Sequence, residues 1–342
     1  MGHTTRIIPL IDFLIHKENK VVIAADGLCL KYLKQRFPKL IIEEISGYNI
    51  KYNKNMAIDM LLQLPKIILG IRNERIETDA LVRKHLIDIV ISDCRYGVFS
   101  KKIPSYFITH QLRFQLPIFL KFFEPLGDFF NIFMFRFYNY IIIPDIKELP
   151  NLTGDLSHKG IISKYSKLKY LGVFCNVSKL DINEDIDFLI SISGPEIQRT
   201  LFEKLLLDQI DSLSGKIVVV LGKPGSDNSY RHKNVEIYNH VSRKKQNELL
   251  NRAKLIICRS GYTTVMELTA LNKIALLIPT PGQTEQEYLA KYYKKTGLFN
   301  VAEQKKLNIS KEIKKIRFDK KIKLLNIPIN DVSAFEKLLE DE

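Results

Sequence analysis

The stretch from residue 255 to residue 291 carries side chains whose types and spacing could bind a phosphorylated ligand. It opens with an apolar run of strand length, Leu255–Cys258, and passes through a turn at 259–261 into apolar residues at helical spacing. A second apolar run, 275–278, stops at the Pro- and Gly-rich segment 279–282. The pattern predicts a strand, a tight turn, a helix and a second strand, which form a βαβ unit.

The turn indicates what this unit could bind. A helix that begins directly after Ser260 and Gly261 presents unpaired backbone N–H groups and the positive end of its dipole. Such groups bind phosphate, and a glycine lets the ligand approach the backbone closely. Glu267, about one turn further on, could accept hydrogen bonds from a sugar diol. Further polar candidates are Thr263, Thr264, Gln286 and Glu287. A ligand with a diphosphate flanked by two polyols is a nucleotide-sugar, so the pattern indicates a site for one. Alternatively, the turn only reverses the chain and Glu267 is a solvated helix residue.

The run CRSGYTTVMEL, followed by PTPGQTEQEYLAK, resembles the family 28 C-terminal domain of GT-B glycosyltransferases. It closely resembles the nucleotide-sugar half of the enzymes that add N-acetylglucosamine to the peptidoglycan lipid precursor. In that family the serine-glycine turn holds the diphosphate, the glutamate holds the ribose, and the glutamine reads the transferred sugar. The resemblance carries these roles to Ser260, Gly261, Thr264, Glu267 and Gln286. Where the family often has a second glutamine, this chain has Glu287.

A second turn into a helix, Ser193-Gly194, follows the first predicted strand of the C-terminal half. The resemblance places this turn opposite the Ser260 turn, across the nucleotide, with Arg199 in contact with the ligand. Residues 185–187 have the form D-x-D, a metal-binding pattern, but their position in a predicted linker favours chance. We therefore predict no catalytic metal and no cofactor.

Length and composition bound the class of protein. A chain of 342 residues suits two domains, and its net charge of +14 indicates an acidic partner. The four cysteines show neither metal-ligand spacing nor a disulfide framework, which is typical of a reducing cytosol. The sequence shows no signal-peptide pattern and no uncharged apolar run of about 18 residues. We expect a cytoplasmic protein, soluble or peripheral on the inner face of the cytoplasmic membrane.

Apolar runs of strand type alternate with helical segments in both halves of the chain, which predicts an α/β fold with parallel sheets. With the family resemblance, this implies two Rossmann-like domains that face a cleft, the GT-B arrangement. The predicted boundaries are residues 1–175 for an acceptor-binding domain, 176–186 for a linker, and 187–342 for a nucleotide-sugar-binding domain.

The segment Gly2–Arg6 resembles the end of the glycine-rich loop that opens GT-B acceptor domains. In those domains the loop follows the first strand, whereas this sequence starts inside the loop. We therefore expect the first, central strand of the N-terminal sheet to be missing between Val21–Ala25 and Ile87–Ser92. Either the true start lies about ten residues upstream of Met1, which we favour, or the two flanking strands pair with each other.

Polar residues at the predicted strand ends of the N-terminal half are candidates for acceptor binding, because ligands bind beyond the carboxyl ends of parallel strands. Asp93 could deprotonate an acceptor hydroxyl, or it could cap a turn. The resemblance implies that His3 lies near the phosphates or the acceptor hydroxyl; the alternative is a frayed terminus. His110 is either a catalytic group or a satisfied polar residue. The acceptor side is completed by Gly2 and Arg95.

Residues 113–140 hold nine of the 19 phenylalanines and only five charged side chains. Pro117, Pro125 and Gly127 interrupt this aromatic segment, so it is too broken to span a bilayer. It could lie in the headgroup region of an anionic membrane, where each buried Phe contributes about 1.5–3 kcal/mol. Alternatively, the rings form the inner face of helices packed on the sheet.

Together with these features, the family resemblance implies metal-independent transfer of a hexose or N-acetylhexosamine from a UDP-sugar to a hydroxyl acceptor, which is lipid-linked in related enzymes. The resemblance alone implies inversion, with His3 or Asp93 as the base. Helix N-termini at Gly194 and Gly261 would stabilise the departing diphosphate. Two alternatives are a nucleotide-sugar 2-epimerase of the same fold and a basic nucleic-acid-binding protein. No recognition module supports the latter, so we expect no nucleic-acid partner.

Overall fold

The computed structural model describes residues 2–48, 63–116, 118–223, 228–318 and 327–340. It divides the chain into two compact units, one formed by residues 1–176 with 327–342 and the other by residues 177–326. Both units are α/β structures built mainly from parallel strands.

The N-terminal unit contains two separate parallel sheets. One pairs β1 (Val22–Ala25) with β2 (Ile41–Glu44), and the other has the strand order β3-β4-β5-β6. The strands of the larger sheet are β3 Val90–Asp93, β4 Ser105–Ile108, β5 Tyr140–Ile143 and β6 Leu168–Tyr170. The helices are α1 Gly2–His16, α2 Gly27–Arg36, α3 Leu64–His85, α4 Glu124–Phe135 and the short α5 Asp155–His158, with a 3-10 helix at Ile118–Phe123.

Within the described part of the chain, β1 and β3 do not pair, so the hydrogen-bonded ladder is interrupted between them. Helix α1 packs against both sheets. Its Ile8 lies in one apolar cluster with Ile23 of β1, whereas Leu10 lies in another with Tyr106 of β4. The expected break in the N-terminal sheet is therefore present, and the alternative in which the flanking strands pair is not observed among these residues.

The C-terminal unit contains one seven-stranded sheet with the order β13-β12-β11-β7-β8-β10-β9, in which only the β9–β10 pair is antiparallel. The strands are β7 Ile186–Ser191, β8 Ile217–Val220, β9 Ser229–His232, β10 Val235–Tyr238, β11 Ala253–Cys258, β12 Ala275–Leu277 and β13 Asn300–Val301. The helices are α6 Gln198–Leu207, α7 Arg243–Arg252, α8 Tyr262–Ala270, α9 Thr284–Thr296 and α10 Ile309–Ile313. Such an order brings the carboxyl ends of β7 and β11 side by side, which is where a doubly wound sheet binds ligands.

The last residues of the chain correct one predicted boundary. Residues 327–342, which we assigned to the nucleotide-sugar domain, belong to the N-terminal unit. Asn330 exchanges hydrogen bonds of 2.9 Å with the backbone of Cys175, and Phe335 of the last helix, α11 (Val332–Glu340), is fully buried against Tyr106. The division after Asn176 falls at the start of the predicted linker, but the chain returns after 326, because its last helix completes the apolar core of the first unit.

Candidate active site

The turn at Ser260 and Gly261 joins β11 to α8, as the apolar pattern predicted. Ser260 is fully buried, and its hydroxyl donates to the backbone carbonyl of Gln286 at 3.0 Å. The hydroxyl that we expected to donate to phosphate therefore donates to the start of α9, and its contact with phosphate stays a prediction. The two predicted ligand-binding segments are thus joined by a direct hydrogen bond.

Gly261 is the residue that precedes α8, and its φ of −70° is open to any amino acid. The space beside Gly261 is open, because a Cβ added there would meet no atom of the described residues within 4 Å. The backbone can therefore be approached closely at the positive end of the helix. Thr263 and Thr264, in the first turn, are half-buried and stand beside this opening.

Glu267 lies one turn into α8 and is 5% exposed. Its carboxylate accepts a hydrogen bond from Arg243, the first residue of α7, which also donates to Gln246 at 3.2 Å. Burial raises the pKa of Glu267, and the guanidinium of Arg243 opposes that rise. Arg243 therefore favours the ionised carboxylate that ribose hydroxyls require. The sequence did not indicate this partner, since 24 residues separate the two side chains.

This arrangement predicts a pH dependence of nucleoside binding. Ribose hydroxyls donate to the ionised carboxylate, so affinity should fall as the pH decreases through the raised pKa of Glu267. Arg243→Met removes the opposing cation, and the fall should then occur at a higher pH than in the native chain. Uridine is the suitable ligand because it has no titrating phosphate, and its Kd would be measured between about pH 4.5 and 8. A profile that is the same in both proteins would contradict the assignment of the ribose to this pair.

Gln286 and Glu287, on α9, both turn back toward the loop at 279–283. The side-chain carbonyl of Gln286 accepts from the backbone N–H of Thr280 at 3.0 Å, and Glu287 accepts from that of Gly282 at 2.9 Å. These contacts hold the loop against the helix that the sequence predicted to read the sugar. The sugar-reading role itself stays a prediction.

The second predicted turn, at Ser193 and Gly194, is exposed where β7 ends. Gly194 has a φ of +123°, and a Cβ added there would meet nothing within 4 Å. Ile197, just before α6, also has a positive φ, of +72°, although it is β-branched and 75% exposed. That combination is a backbone outlier of a kind that clusters at ligand sites.

Arg199, which we expected to contact the nucleotide, has protein partners. It is 6% exposed and donates to Glu196 at 2.8 Å, to Glu203 at 2.9 Å and to the carbonyl of Leu221 at 3.2 Å. These hydrogen bonds stabilise the first turns of α6. Its contact with the nucleotide stays a prediction.

Sequence reasoning treated Arg259 as part of the turn and missed its role. The side chain is 2% exposed and donates to the carbonyls of Pro279 at 3.1 Å and Gln198 at 3.3 Å. It also donates to the Gln304 side chain at 2.6 Å, and its guanidinium lies 3.7 Å from the ring centre of Phe202. One buried side chain thus connects the start of α6 to the loop after β12.

In the N-terminal unit, Asp93 and His110 meet at Arg6. The fully buried guanidinium of Arg6 pairs with both Asp93 oxygens, with an Nε–Oδ2 distance of 3.2 Å, and donates to Nδ1 of His110 at 2.9 Å. Burial is the largest single influence on Arg6 and lowers the pKa of its guanidinium, but the charges and hydrogen bonds of Asp93 and Cys94 together reverse this and raise the pKa. Since arginine only donates, Nδ1 of His110 must accept, which leaves the ring proton of neutral His110 on Nε2.

This pairing engages both oxygens of Asp93 with Arg6, which gives the carboxylate a structural partner besides any role as a base. The other candidate, His3, lies in α1, but its side chain is outside the described residues, and Gly2 begins the same helix. Neither assignment of the base is tested by the geometry, and both stay predictions.

Arg95 connects the carboxyl ends of three strands in the N-terminal unit. It pairs with Asp26 after β1 at 3.4 Å, donates to the carbonyl of Ser46 after β2, and pairs with the buried Glu74 of α3 at 2.8 Å. Burial raises the pKa of Glu74, whereas Arg95 opposes that rise. Arg95 therefore spans the gap between the two sheets at the carboxyl ends of their strands, and its contact with an acceptor stays a prediction.

The aromatic segment is partly exposed, as predicted. Among its phenylalanines with described side chains, five are exposed: Phe122, Phe123, Phe129, Phe130 and Phe133. Phe135 points inward and is fully buried, so helix α4 has one face on the core and one face outside. Arg136 stacks at 4.0 Å over Phe133, and an open groove of 690 Å³ lined by Ile132, Ile161 and Lys164 adjoins the helix. Among the described residues, no helix is long and apolar enough to cross a bilayer.

Residues 203–338 match the model of the glycosyltransferase family 28 C-terminal domain, which confirms the resemblance drawn from the sequence. A segment of 68 residues is 40% identical to the UDP-N-acetylglucosamine--N-acetylmuramyl-(pentapeptide) pyrophosphoryl-undecaprenol N-acetylglucosamine transferase of Thermoanaerobacter sp. (strain X514). That match spans about a fifth of the length of either protein, 19% of each.

Solved structures confirm the predicted fold. MurG of Acinetobacter baumannii matches with a TM-score of 0.61 and 12% identity, over 100% of this chain and 96% of that one. The glycosyltransferase SnogD from Streptomyces nogalater matches with a TM-score of 0.65 and 11% identity, over 100% of this chain and 97% of that one. At these identities the likeness shows the fold alone, which is the GT-B fold with two Rossmann-like domains.

Proposed function

We propose that this chain, whose residues 203–338 match the glycosyltransferase family 28 C-terminal domain, moves a sugar from a UDP-sugar to a hydroxyl acceptor. The observation that carries the proposal is the Ser260–Gly261 turn at the start of α8, where a Cβ on Gly261 would meet no described atom within 4 Å. Glu267 lies one turn further, and α9 is hydrogen-bonded to the turn. The matched family and the UDP-sugar in the relative's name support the same ligand.

The chemistry follows from the groups present. The backbone N–H groups at the starts of α6 and α8 would stabilise the diphosphate as it leaves, which requires no metal. An acceptor hydroxyl, deprotonated by a base from the N-terminal unit, would attack the anomeric carbon directly and invert it. We favour His3 as that base over Asp93, because the Asp93 carboxylate is already paired with Arg6.

The acceptor would be lipid-linked, and the chain would act at the inner face of the cytoplasmic membrane. The exposed phenylalanines of 122–133 support this, since contiguous exposed apolar patches mark interaction sites. Lys121 and Arg136 add positive charge to that surface, which an anionic membrane attracts. A 2-epimerase with a soluble substrate would not need such a surface, and the family 28 match favours transfer over nucleic-acid binding.

Glu267→Ala should weaken UDP binding and leave the fold intact. Loss of a hydrogen bond to a charged acceptor costs about 1.5–3 kcal/mol, so the Kd should rise roughly ten- to hundredfold. Calorimetric titration with UDP measures this. The matched control is Glu312→Gln, which alters a carboxylate paired with Lys315 in α10 and should leave the Kd unchanged. An unchanged Kd in Glu267→Ala would contradict the assignment of ribose binding to Glu267.

The activity itself is tested by incubating the chain with a panel of UDP-sugars and a lipid-linked hydroxyl acceptor. Release of UDP that depends on the acceptor is the expected result. Conversion of the UDP-sugar to its 2-epimer without any acceptor would favour the epimerase.

A further inference from the structure

Arg259 is a buried cation that has no carboxylate partner among the described residues. Its hydrogen-bond acceptors are three backbone carbonyls and one amide, all uncharged, and the face of the Phe202 ring lies 3.7 Å away. Its Nε has no hydrogen-bond partner within the described structure. Burial lowers the pKa of Arg259 to about 10, so the guanidinium still carries its charge at neutral pH. The charge is therefore present, and no carboxylate of the described residues neutralises it.

Other buried or half-buried cations of the same unit are compensated. Arg199 pairs with two glutamates, and Lys273, which is 6% exposed, pairs with Glu184 at 2.7 Å. Removing charge from water is costly unless a counter-ion is supplied. Arg259 is the exception, and because no described carboxylate neutralises it, a bound anion could supply the counter-charge.

The surroundings of Arg259 add further positive potential. Its Nη2 contacts the carbonyl of Gln198, the first residue of α6, and α8 begins three residues after Arg259 itself. The starts of two helices, of ten and nine residues, thus lie next to one buried guanidinium, and each carries a partial positive charge. Thr280, 1% exposed, has a hydroxyl with no hydrogen-bond partner in the described structure, on the loop that Arg259 contacts. A site of this composition suits a multiply charged anion.

We propose that Arg259 supplies the counter-charge for the diphosphate of the donor. This rests on the proposed function and extends it, because it assigns the net charge that a metal would otherwise provide. Since only 2% of the side chain is exposed, the guanidinium acts through its electrostatic field, across the Ser260–Gly261 turn. It also positions that turn by holding α6 and the loop after β12. Arg259 should therefore affect the part of the binding affinity that comes from the ligand's charge more than the part that comes from its base or ribose.

The test is a charge series of ligands, uridine, UMP and UDP, titrated by calorimetry into the full chain. In the native protein we expect affinity to rise with ligand charge. In Arg259→Met we expect UDP affinity to fall about tenfold or more, while uridine affinity changes less than about twofold. Arg259→Lys keeps the charge but not the fork of donors, and it should retain most of the preference for UDP over uridine.

The matched control is Arg252→Met, which removes a cation paired with Asp185 and Glu248, at the start of β11 rather than its end. Its preference for UDP should equal that of the native chain. A further measurement needs no variant, since inorganic pyrophosphate alone should raise the Tm of the native protein.

An unchanged preference for UDP in Arg259→Met would overturn this inference and leave the proposed function intact. Equal losses of uridine and UDP in both Arg259 variants would also overturn it, because a purely structural role predicts that pattern. The absence of any Tm increase with pyrophosphate would count against it even if Arg259→Met failed to fold. A native protein that binds neither uridine nor UDP would refute the proposed function, and this inference with it.

Discussion

Replacing Phe122, Phe129 and Phe133 together by serine should abolish the binding of this chain to anionic vesicles. The three side chains are 88%, 57% and 51% exposed, so their loss removes apolar surface without opening a core cavity. Each contributes about 1.5–3 kcal/mol when it leaves water. Loss of all three should therefore remove more free energy than reversible membrane binding provides. Cosedimentation with vesicles of phosphatidylglycerol and phosphatidylcholine at low salt measures the effect.

Phe318→Ser is the matched control, since Phe318 is 47% exposed but belongs to the C-terminal unit. It should leave vesicle binding unchanged. Native protein that fails to sediment with anionic vesicles, or triple-variant protein that sediments as well as the native chain, would contradict a membrane role for the aromatic segment.

Asp93→Ala should destabilise the N-terminal unit by about 3–5 kcal/mol, because it leaves the buried guanidinium of Arg6 without its carboxylate. The Arg6 side chain is 1% exposed, so water cannot replace the lost partner without rearrangement. Denaturant unfolding of the native and variant chains gives the difference. If Asp93 were an accessible base with no structural role, its removal would leave the free energy of unfolding nearly unchanged.

The double variant Arg6→Met, Asp93→Leu separates the pair's structural role from catalysis. Replacing both charges with apolar side chains of similar volume should recover most of the lost stability. Transferase activity that returns with the stability would exclude Asp93 as the base and favour His3. Transferase activity that stays absent in the stable double variant would favour Asp93 as the base.

The sequence predicted the segment around the Ser260 turn well, because the change from strand to helical spacing is a local signal. Its strand was placed at 255–258 and is observed at Ala253–Cys258, with α8 following as expected. Strand β9, Ser229–His232, was missed because it is a short antiparallel edge with few apolar residues. The apolar run at 170–174 also has the pattern of a strand, but that prediction is wrong in position, since β6 covers Leu168–Tyr170.

The displaced strand has a physical cause that local patterns do not contain. Gly172 has a φ of +76°, which ends the extended backbone, and Val173 then forms a parallel bridge with Ile329 from the far end of the chain. The same return of the C-terminus explains why the predicted domain boundary at 187–342 was wrong. Contacts between residues more than 150 positions apart are decided by packing of the complete unit.

The candidate site shows the same division between local and distant information. Residue types and spacing identified Glu267 and Asp93, but their partners Arg243 and Arg6 lie 24 and 87 positions away and were not predicted. Those partners change the chemistry. Arg243 favours the ionised form of Glu267, the predicted ribose-binding group, and Arg6 engages Asp93, a candidate base. The expected contact of Arg199 was likewise drawn without knowledge of its two glutamate partners.

The most direct measurement is calorimetric titration of the native chain with UDP and a panel of UDP-sugars. The account predicts that UDP binds, that at least one UDP-sugar binds at the same site in competition with it, and that Glu267→Ala weakens both. A chain that binds no uridine nucleotide under these conditions, yet binds RNA in a salt-sensitive manner, would contradict the assignment of a nucleotide-sugar site to the Ser260 turn.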